Sequence, residues 1–198
     1  TTLDPLAQQQ AVAARDSTLP LENGVVPQPG VNPETGEPNR ATAALVSVEP
    51  ATGAVRTMVG GPGFDSYQYN LATENPRGVG SSMKMFVLAT IMEQGYSPDD
   101  IINGLGPCQF ADRTSENGVY DAGNYADGSG SVDTITSATT HSSNCAFVRL
   151  GLIAGGQNVA DMAHRLGIRA DTELCGACKS LPLGVASITP MEMASAYA

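Results

Sequence analysis

The sequence predicts a chain of mixed strands and helices, and two observations carry that reading. β-Prone runs near residues 43–49 and 54–59 flank Glu49-Pro50-Ala51-Thr52-Gly53, where proline presets φ and glycine accepts a positive φ, so the pair reads as a hairpin. Apolar residues at helical spacing, with capping signals, then recur from about residue 81 to the end. With 198 residues, 41% of them apolar, the chain has enough material for a core.

The elements follow in order. Asp4 before Pro5 reads as an N-cap and first helical residue, and "LAQQQAVAARD" continues with good helix formers. Residues 21–40, dense in Pro, Gly and Asn, read as a linker or surface loop leading into the hairpin. After a loop holding Tyr67, Tyr69 and Asn70, Gly80 precedes a helix whose apolar face is Met83, Phe86, Val87 and Ile91, closed by Gly95 and the Ser97-Pro98 turn. Residues 103–132 are polar and glycine-rich, too long for a simple connector, and read as a functional loop region in which Tyr120, Asn124 and Tyr125 line or cover a cleft. Helices are predicted at roughly 133–141, 143–154 and 157–166, and a last one opens at Thr189, with Pro190 at its first position and Glu192 completing a capping box. No internal repeat is present.

Charge narrows the function classes. The net charge is −10, from 20 acidic and 10 basic residues, without a Lys/Arg cluster, which argues against a nucleic-acid or anionic-membrane surface and favours small-molecule or peptide partners. No apolar run approaches the roughly 18 residues of a membrane span, and no signal segment opens the chain. Because it starts at Thr1 and the helical "SITPMEMASAYA" reaches the last residue, the sequence reads as a piece of a longer protein.

Its chemistry concentrates in two short stretches. In "GVGSSMKMF" one of only two lysines, Lys84, stands three residues after Ser81, so a helix would present hydroxyl and amine side by side. A serine becomes nucleophilic when a neighbouring base takes its proton, and a lysine serves when a confined site lowers its pKa. The same spacing suits an N-cap serine beside an exposed lysine. The second stretch, Ser142-Ser143-Asn144, begins 61 residues after Ser81. There Ser142 could shuttle a proton and the Asn144 amide could hold a substrate carbonyl, or both could cap a helix.

Together with their flanks these stretches resemble the penicillin-binding transpeptidase domain of class A, bifunctional peptidoglycan synthases. "TTLDPLAQ" resembles the family's entry into this domain, "ALVSVEPATGAVRTMVGG" its first hairpin, and "YNLATENPRGVGSSMKMFV" the run into the nucleophile. "NYADGSGSVDTITSATTHSSNCAFVRLG" resembles the run into the second motif, and "SLPLGVASITPMEMASAYA" the stretch before the third. Ser-x-x-Lys followed by Ser-x-Asn marks serine acyl-transferases that bind β-lactams. The resemblance implies residues 1–40 as an entering helix and linker and 41–198 as a partial transpeptidase domain. Its complete fold is α+β, a five-stranded antiparallel sheet with a helical subdomain, here expected to lack the C-terminal strands. It further implies Ser81 as nucleophile, Lys84 as its base, Ser142 as proton carrier to the leaving D-alanine, and Asn144 as substrate-orienting amide. Peptidoglycan stem peptides and β-lactams are the implied partners, no metal or organic cofactor is implied, and the location is the extracytoplasmic face of the bacterial membrane, anchored through an upstream segment.

Two departures stand out. Met85 occupies a position where the family more often has proline. The family's Lys-Thr/Ser-Gly motif has no counterpart, since Lys179, the other lysine, is followed by Ser180-Leu181, so the fragment alone is expected to hold a half-built site. Two other functions compete: a β-lactam- or peptidoglycan-binding sensor without turnover, and a serine β-lactamase. The lactamase reading is weakened because Glu173 is followed by Leu-Cys-Gly-Ala rather than a Glu-x-x-x-Asn run, and Ser143 stands where lactamases have aspartate. Cys175-Gly-Ala-Cys178 permits a redox or zinc role, but for an exported domain a structural disulfide is the simpler reading. Cys108, Cys145, Cys175 and Cys178 allow three pairings, with Cys175–Cys178 preferred as one of the bridges. His141 reads as a helix-end residue.

Overall fold

A computed structural model describes residues 1–19, 25–31, 36–65, 67–112 and 117–198. In chain order the elements are α1 (Pro5–Thr18), β1 (Val26–Val31), β2 (Pro38–Ala41), β3 (Leu45–Glu49), β4 (Ala54–Val59), α2 (Leu71–Glu74), β5 (Arg77–Gly78), α3 (Lys84–Glu93), β6 (Ile101–Asn103), β7 (Cys108–Ala111), β8 (Val119–Ala122), β9 (Val132–Thr134), α4 (Ile135–Thr140), α5 (Asn144–Ala154), α6 (Gly156–Arg165), β10 (Ser187–Ile188) and α7 (Pro190–Tyr197), with 3₁₀ turns at Gly80–Met83, Tyr125–Asp127 and Leu181–Leu183. They form two compact units, residues 1–77 with 188–198, and residues 78–187.

The first unit is built on the predicted hairpin. β3 and β4 pair antiparallel, Leu45 opposite Val59, with a bulge after Ser47. The Gly53 N–H closes the turn on the Glu49 carbonyl at 2.8 Å, with Gly53 at φ +69° as the sequence requires. An unpaired strand edge would expose its amides. Here the N-terminal segment covers β4: the Asp4 N–H donates to the Arg56 carbonyl, and the Gln8 side chain both donates to the Met58 carbonyl (2.9 Å) and accepts its N–H (2.8 Å). Asp4 Oδ1 accepts the Leu6 and Ala7 amides, capping α1 as expected. The capping box of α7 is also present, Thr189 Oγ1 accepting the Glu192 N–H while the Glu192 carboxylate accepts the Thr189 N–H.

Residues 21–40 differ from the expected linker, since they contain most of an antiparallel ladder, β1 with β2, in which Val26 faces Ala41 and Val31 faces Pro38. Proline's fixed φ suits extended backbone wherever its missing N–H is not called on by the ladder. Residues 20–24 and 32–35 lie outside the described ones.

The second unit holds the helical core. Met83, Phe86, Val87 and Ile91 from the α3 region, Ala146, Phe147 and Leu150 from α5, and Val159 and Ala163 from α6 are buried together with Leu181. Each large side chain removed from water contributes about 2 kcal/mol before its entropy cost. Residues 103–132, expected as loop, instead carry two short ladders: β7 with β8, where Cys108 faces Ala122, and the last residue of β6 with the first of β9, where Asn103 faces Val132. β9 also takes residues 133–134 from the predicted helix, so α4 begins at Ile135, capped by Thr134. All four cysteines are paired, Cys108 with Cys145 and Cys175 with Cys178, the latter as expected.

Candidate active site

Ser81 lies on a 3₁₀ turn ahead of α3 rather than on the α-helix itself, and Lys84 is the first residue of α3. The 3₁₀ turn therefore ends on Met83 and hands over to the α-helix at Lys84. Gly80 precedes Ser81 at φ +55°, a conformation open to glycine. Ser81 is exposed, whereas Lys84 is only 4% accessible. A reachable hydroxyl thus sits beside a dry amine. Met85 points outward in the first turn of α3, a position that proline also tolerates.

The second motif enters from the end of α4. His141 is the C-cap, as expected, and the chain then turns through a Schellman motif: the Ser142 N–H donates to the Thr139 carbonyl and the Ser143 N–H to that of Ala138. The residue in the left-handed position is Ser142, at φ +50°, where glycine is usual. This backbone turn brings both the carbonyl and the hydroxyl of Ser142 onto the lysine. Ser143 then caps α5, and Asn144 is its first residue.

The structure brings all four sequence-predicted residues together. Lys84 Nζ donates to the Ser142 carbonyl (2.7 Å), to Ser142 Oγ (3.0 Å) and to Asn144 Oδ1 (2.8 Å). Ser142 Oγ donates in turn to Ser81 Oγ at 3.0 Å. Three acceptors match the three hydrogens of an ammonium. The Phe147 ring lies 5.4 Å from Nζ. Burial nonetheless disfavours the charge, and the lysine pKa is pushed down to about 8 from its usual 10.5. At pH 7 roughly a tenth of the molecules hold the free amine, whose lone pair would face Ser142 Oγ and reverse the direction of the hydroxyl chain.

Sequence reasoning missed what holds the second motif. Asn144 Nδ2 donates to the Gly123 carbonyl at 2.8 Å, so one of its two hydrogens is used by the protein. Asn124, read from the sequence only as a cleft residue, spends its amide on Gly104, Ser143 and Cys145. Tyr125 is 93% exposed, and Tyr120 packs on the Cys108–Cys145 cluster. Glu173 lies exposed on the loop after α6. Among the described residues no group of three His, Cys, Asp or Glu side chains could hold a metal, and no helix is long and apolar enough to cross a membrane.

A helical core carrying Ser-x-x-Lys and Ser-x-Asn within hydrogen-bonding reach defines the class of chain, and the family follows. Residues 43–198 match the penicillin binding protein transpeptidase domain, and the chain belongs to that family. It is 33% identical over 156 residues to penicillin-binding protein 1A of Neisseria meningitidis serogroup A, covering 78% of this chain and 19% of that protein. It is 30% identical over 165 residues to penicillin-binding protein 1A of Haemophilus influenzae, covering 83% and 19%. The chain therefore spans about a fifth of the length of these relatives. In structure it is similar to the penicillin-binding protein PonA1 from Mycobacterium tuberculosis, with TM-score 0.74, 28% identity, and coverage of 100% of this chain and 48% of that one. It also resembles the 2.6 Å crystal structure of the Haemophilus protein, with TM-score 0.70 and 29% identity over 82% and 24% of the two chains. These neighbours share the α+β transpeptidase fold expected from the sequence.

Proposed function

We propose that this chain carries the acylating half of a D,D-transpeptidase acting on the D-Ala-D-Ala end of peptidoglycan stem peptides on the extracytoplasmic side of a bacterial membrane, and that β-lactams acylate the same serine. The observation that carries the proposal is the continuous path from Ser81 Oγ through Ser142 Oγ to Lys84 Nζ, each step 3.0 Å, ending on an amine with a lowered pKa. A structure of PonA1, 27% identical, is described in complex with penicillin V, which supports the β-lactam reading.

In the proposed reaction Ser81 Oγ bonds to the carbonyl carbon of the penultimate D-alanine. Its proton passes to Ser142 Oγ as the Ser142 proton passes to Lys84 Nζ. The C–N bond then breaks, the leaving D-alanine amine takes a proton back along the path, and an ester remains on Ser81. The amine of a second stem peptide attacks that ester, gives up a proton, and restores the serine hydroxyl. Asn144 holds Lys84 through Oδ1 and offers the second Nδ2 hydrogen to the substrate amide. With a β-lactam the broken amide stays tethered, so no leaving group departs.

Intact-mass measurement after incubation with a fluorescent penicillin tests this. A single-drug adduct is expected on the chain and none on Ser81→Ala, both confirmed as folded by thermal melt. A folded chain without an adduct would overturn the reading.

A further inference from the structure

We propose that Asn124 is a positioning residue for the acyl-transfer site, which rests on the function proposed above. Its side chain bridges two segments of the chain, at Gly104 and across 143–145. Nδ2 donates to the Gly104 carbonyl at 2.9 Å, while Oδ1 accepts the Ser143 hydroxyl at 3.2 Å and the Cys145 N–H at 3.1 Å. The preceding residue, Gly123, accepts from Asn144 Nδ2 through its carbonyl. The dipeptide Gly123-Asn124 therefore contacts three consecutive residues, 143, 144 and 145, and the middle one holds Lys84.

The surrounding chain is shaped to admit this amide. A Cβ on Gly130 would stand 2.7 Å from Asn124 Nδ2 and 2.0 Å from the Gly104 carbonyl oxygen, and one on Gly104 would stand 2.9 Å from Ser143 Oγ. Only glycine fits at Gly130, and at Gly104 both the Ser131 carbonyl and the Ser143 hydroxyl stand in the way. The Ser143 hydroxyl is bonded on both sides, donating to Asn124 and accepting the Ala146 N–H of α5. Asn124 thus reaches the helix cap itself. Because β8 runs directly into Gly123, the β7–β8 hairpin fixes the origin of α5, and with it the Asn144 and Ser142 oxygens that grip Lys84. Loss of the amide would free the 143–145 turn to shift without touching any reacting atom, and displacements of about 1 Å at an acyl-transfer site are costly.

The test measures the second-order acylation rate of the whole chain by fluorescent penicillin, together with hydrogen exchange of the Asn144 side-chain amide by NMR on asparagine-labelled protein. Asn124→Ala is expected to slow acylation by at least about tenfold and to speed Asn144 amide exchange by a similar factor. Asn124→Asp keeps an acceptor for the Ser143 and Cys145 donors but sets a carboxylate oxygen against the Gly104 carbonyl, and is expected to lie between wild type and Asn124→Ala. Val159→Ala, a cavity in α6 away from the turn, is expected to lower the melting temperature without slowing acylation, which separates positioning from general destabilisation. Ser143→Ala breaks one of the two links and is expected to lose about threefold, and it decides the matter if Asn124→Ala does not fold. Wild-type acylation and exchange in Asn124→Ala, or in Ser143→Ala should that variant stand in, would overturn the proposal. If the unmutated chain takes no penicillin, the proposed function fails instead, and the exchange measurement alone decides whether Asn124 positions Asn144.

Discussion

Gly184 packs so closely on Gly80 that a Cβ on Gly184 would lie 2.0 Å from the Gly80 carbonyl oxygen, while the Gly184 carbonyl accepts the Gly80 N–H at 3.0 Å. The loop after the Leu181–Leu183 turn is thus the backstop of the proposed nucleophile, since Gly80 immediately precedes Ser81. Gly184 is also at φ +78°. Gly184→Ala meets both a steric and a conformational cost, so a loss of at least about 2 kcal/mol is expected in denaturant unfolding. Penicillin labelling should fall as well, because the clash can be relieved only by moving Gly80 and Ser81. Unchanged labelling at unchanged stability would show that this contact does not set the serine.

Ser142 sits where a helix normally ends in glycine, which separates its backbone from its chemistry. A non-glycine residue in the left-handed region costs about 1 kcal/mol. Ser142→Gly should therefore be more stable than Ser142→Ala by about that amount. Both lack the hydroxyl that joins Ser81 to Lys84, and both should acylate at least about a hundredfold more slowly than wild type. Paired melts and labelling rates check this. If Ser142→Gly labelled at the wild-type rate, the hydroxyl would carry no proton.

The candidate site was largely legible in the sequence because its four residues fall in two local motifs, and local spacing is what a sequence displays. Ser81 and Lys84 are three apart, and Ser142 and Asn144 straddle a cap. The helices were legible through caps such as Asp4 and the Thr189–Glu192 box. What remained hidden depends on pairings distant along the chain. β6 through β9 are three or four residues each, in a glycine-rich stretch with no alternation to read, and they exist because Cys108 meets Ala122 and Asn103 meets Val132. The edge cover by Gln8 joins residues 50 apart. Asn124 had no signal beyond its polar loop, since any asparagine there could face water.

The Cys108–Cys145 disulfide closes a span of 37 residues and ends one residue past Asn144. Chain-entropy reasoning gives about 4 kcal/mol for a loop of that length, and much less for the span of three closed by Cys175–Cys178. The double variant Cys108→Ser with Cys145→Ser is expected to lose several kcal/mol in unfolding experiments and to label more slowly. The variant lacking Cys175–Cys178 should be milder on both counts. Equal losses would mean that loop length does not govern either bridge.

The pH dependence of acylation follows from where Lys84 sits. In the proposed role its amine must be neutral to accept the proton relayed from Ser81, and burial has moved that transition down to about pH 8. Below this the ammonium donates to Ser142 and Asn144, and the path from Ser81 cannot deliver a proton to it. Acylation should therefore rise with pH through a midpoint near 8 and level off above it, about tenfold faster on the plateau than at pH 7. The stability contribution has a matching sign: the unfolded lysine, titrating near 10.5, holds its proton where the folded one has lost it, so Lys84 favours folding increasingly as pH rises from about 8 towards 10.5. Below that window the folded chain carries the whole burial cost of the charge. Stopped-flow labelling from pH 6 to 10, with melts across the same range for wild type and Lys84→Met, measures both. A flat rate profile would remove Lys84 from the proposed role of base, and a midpoint near 10 would mean that the amine is solvated during acylation.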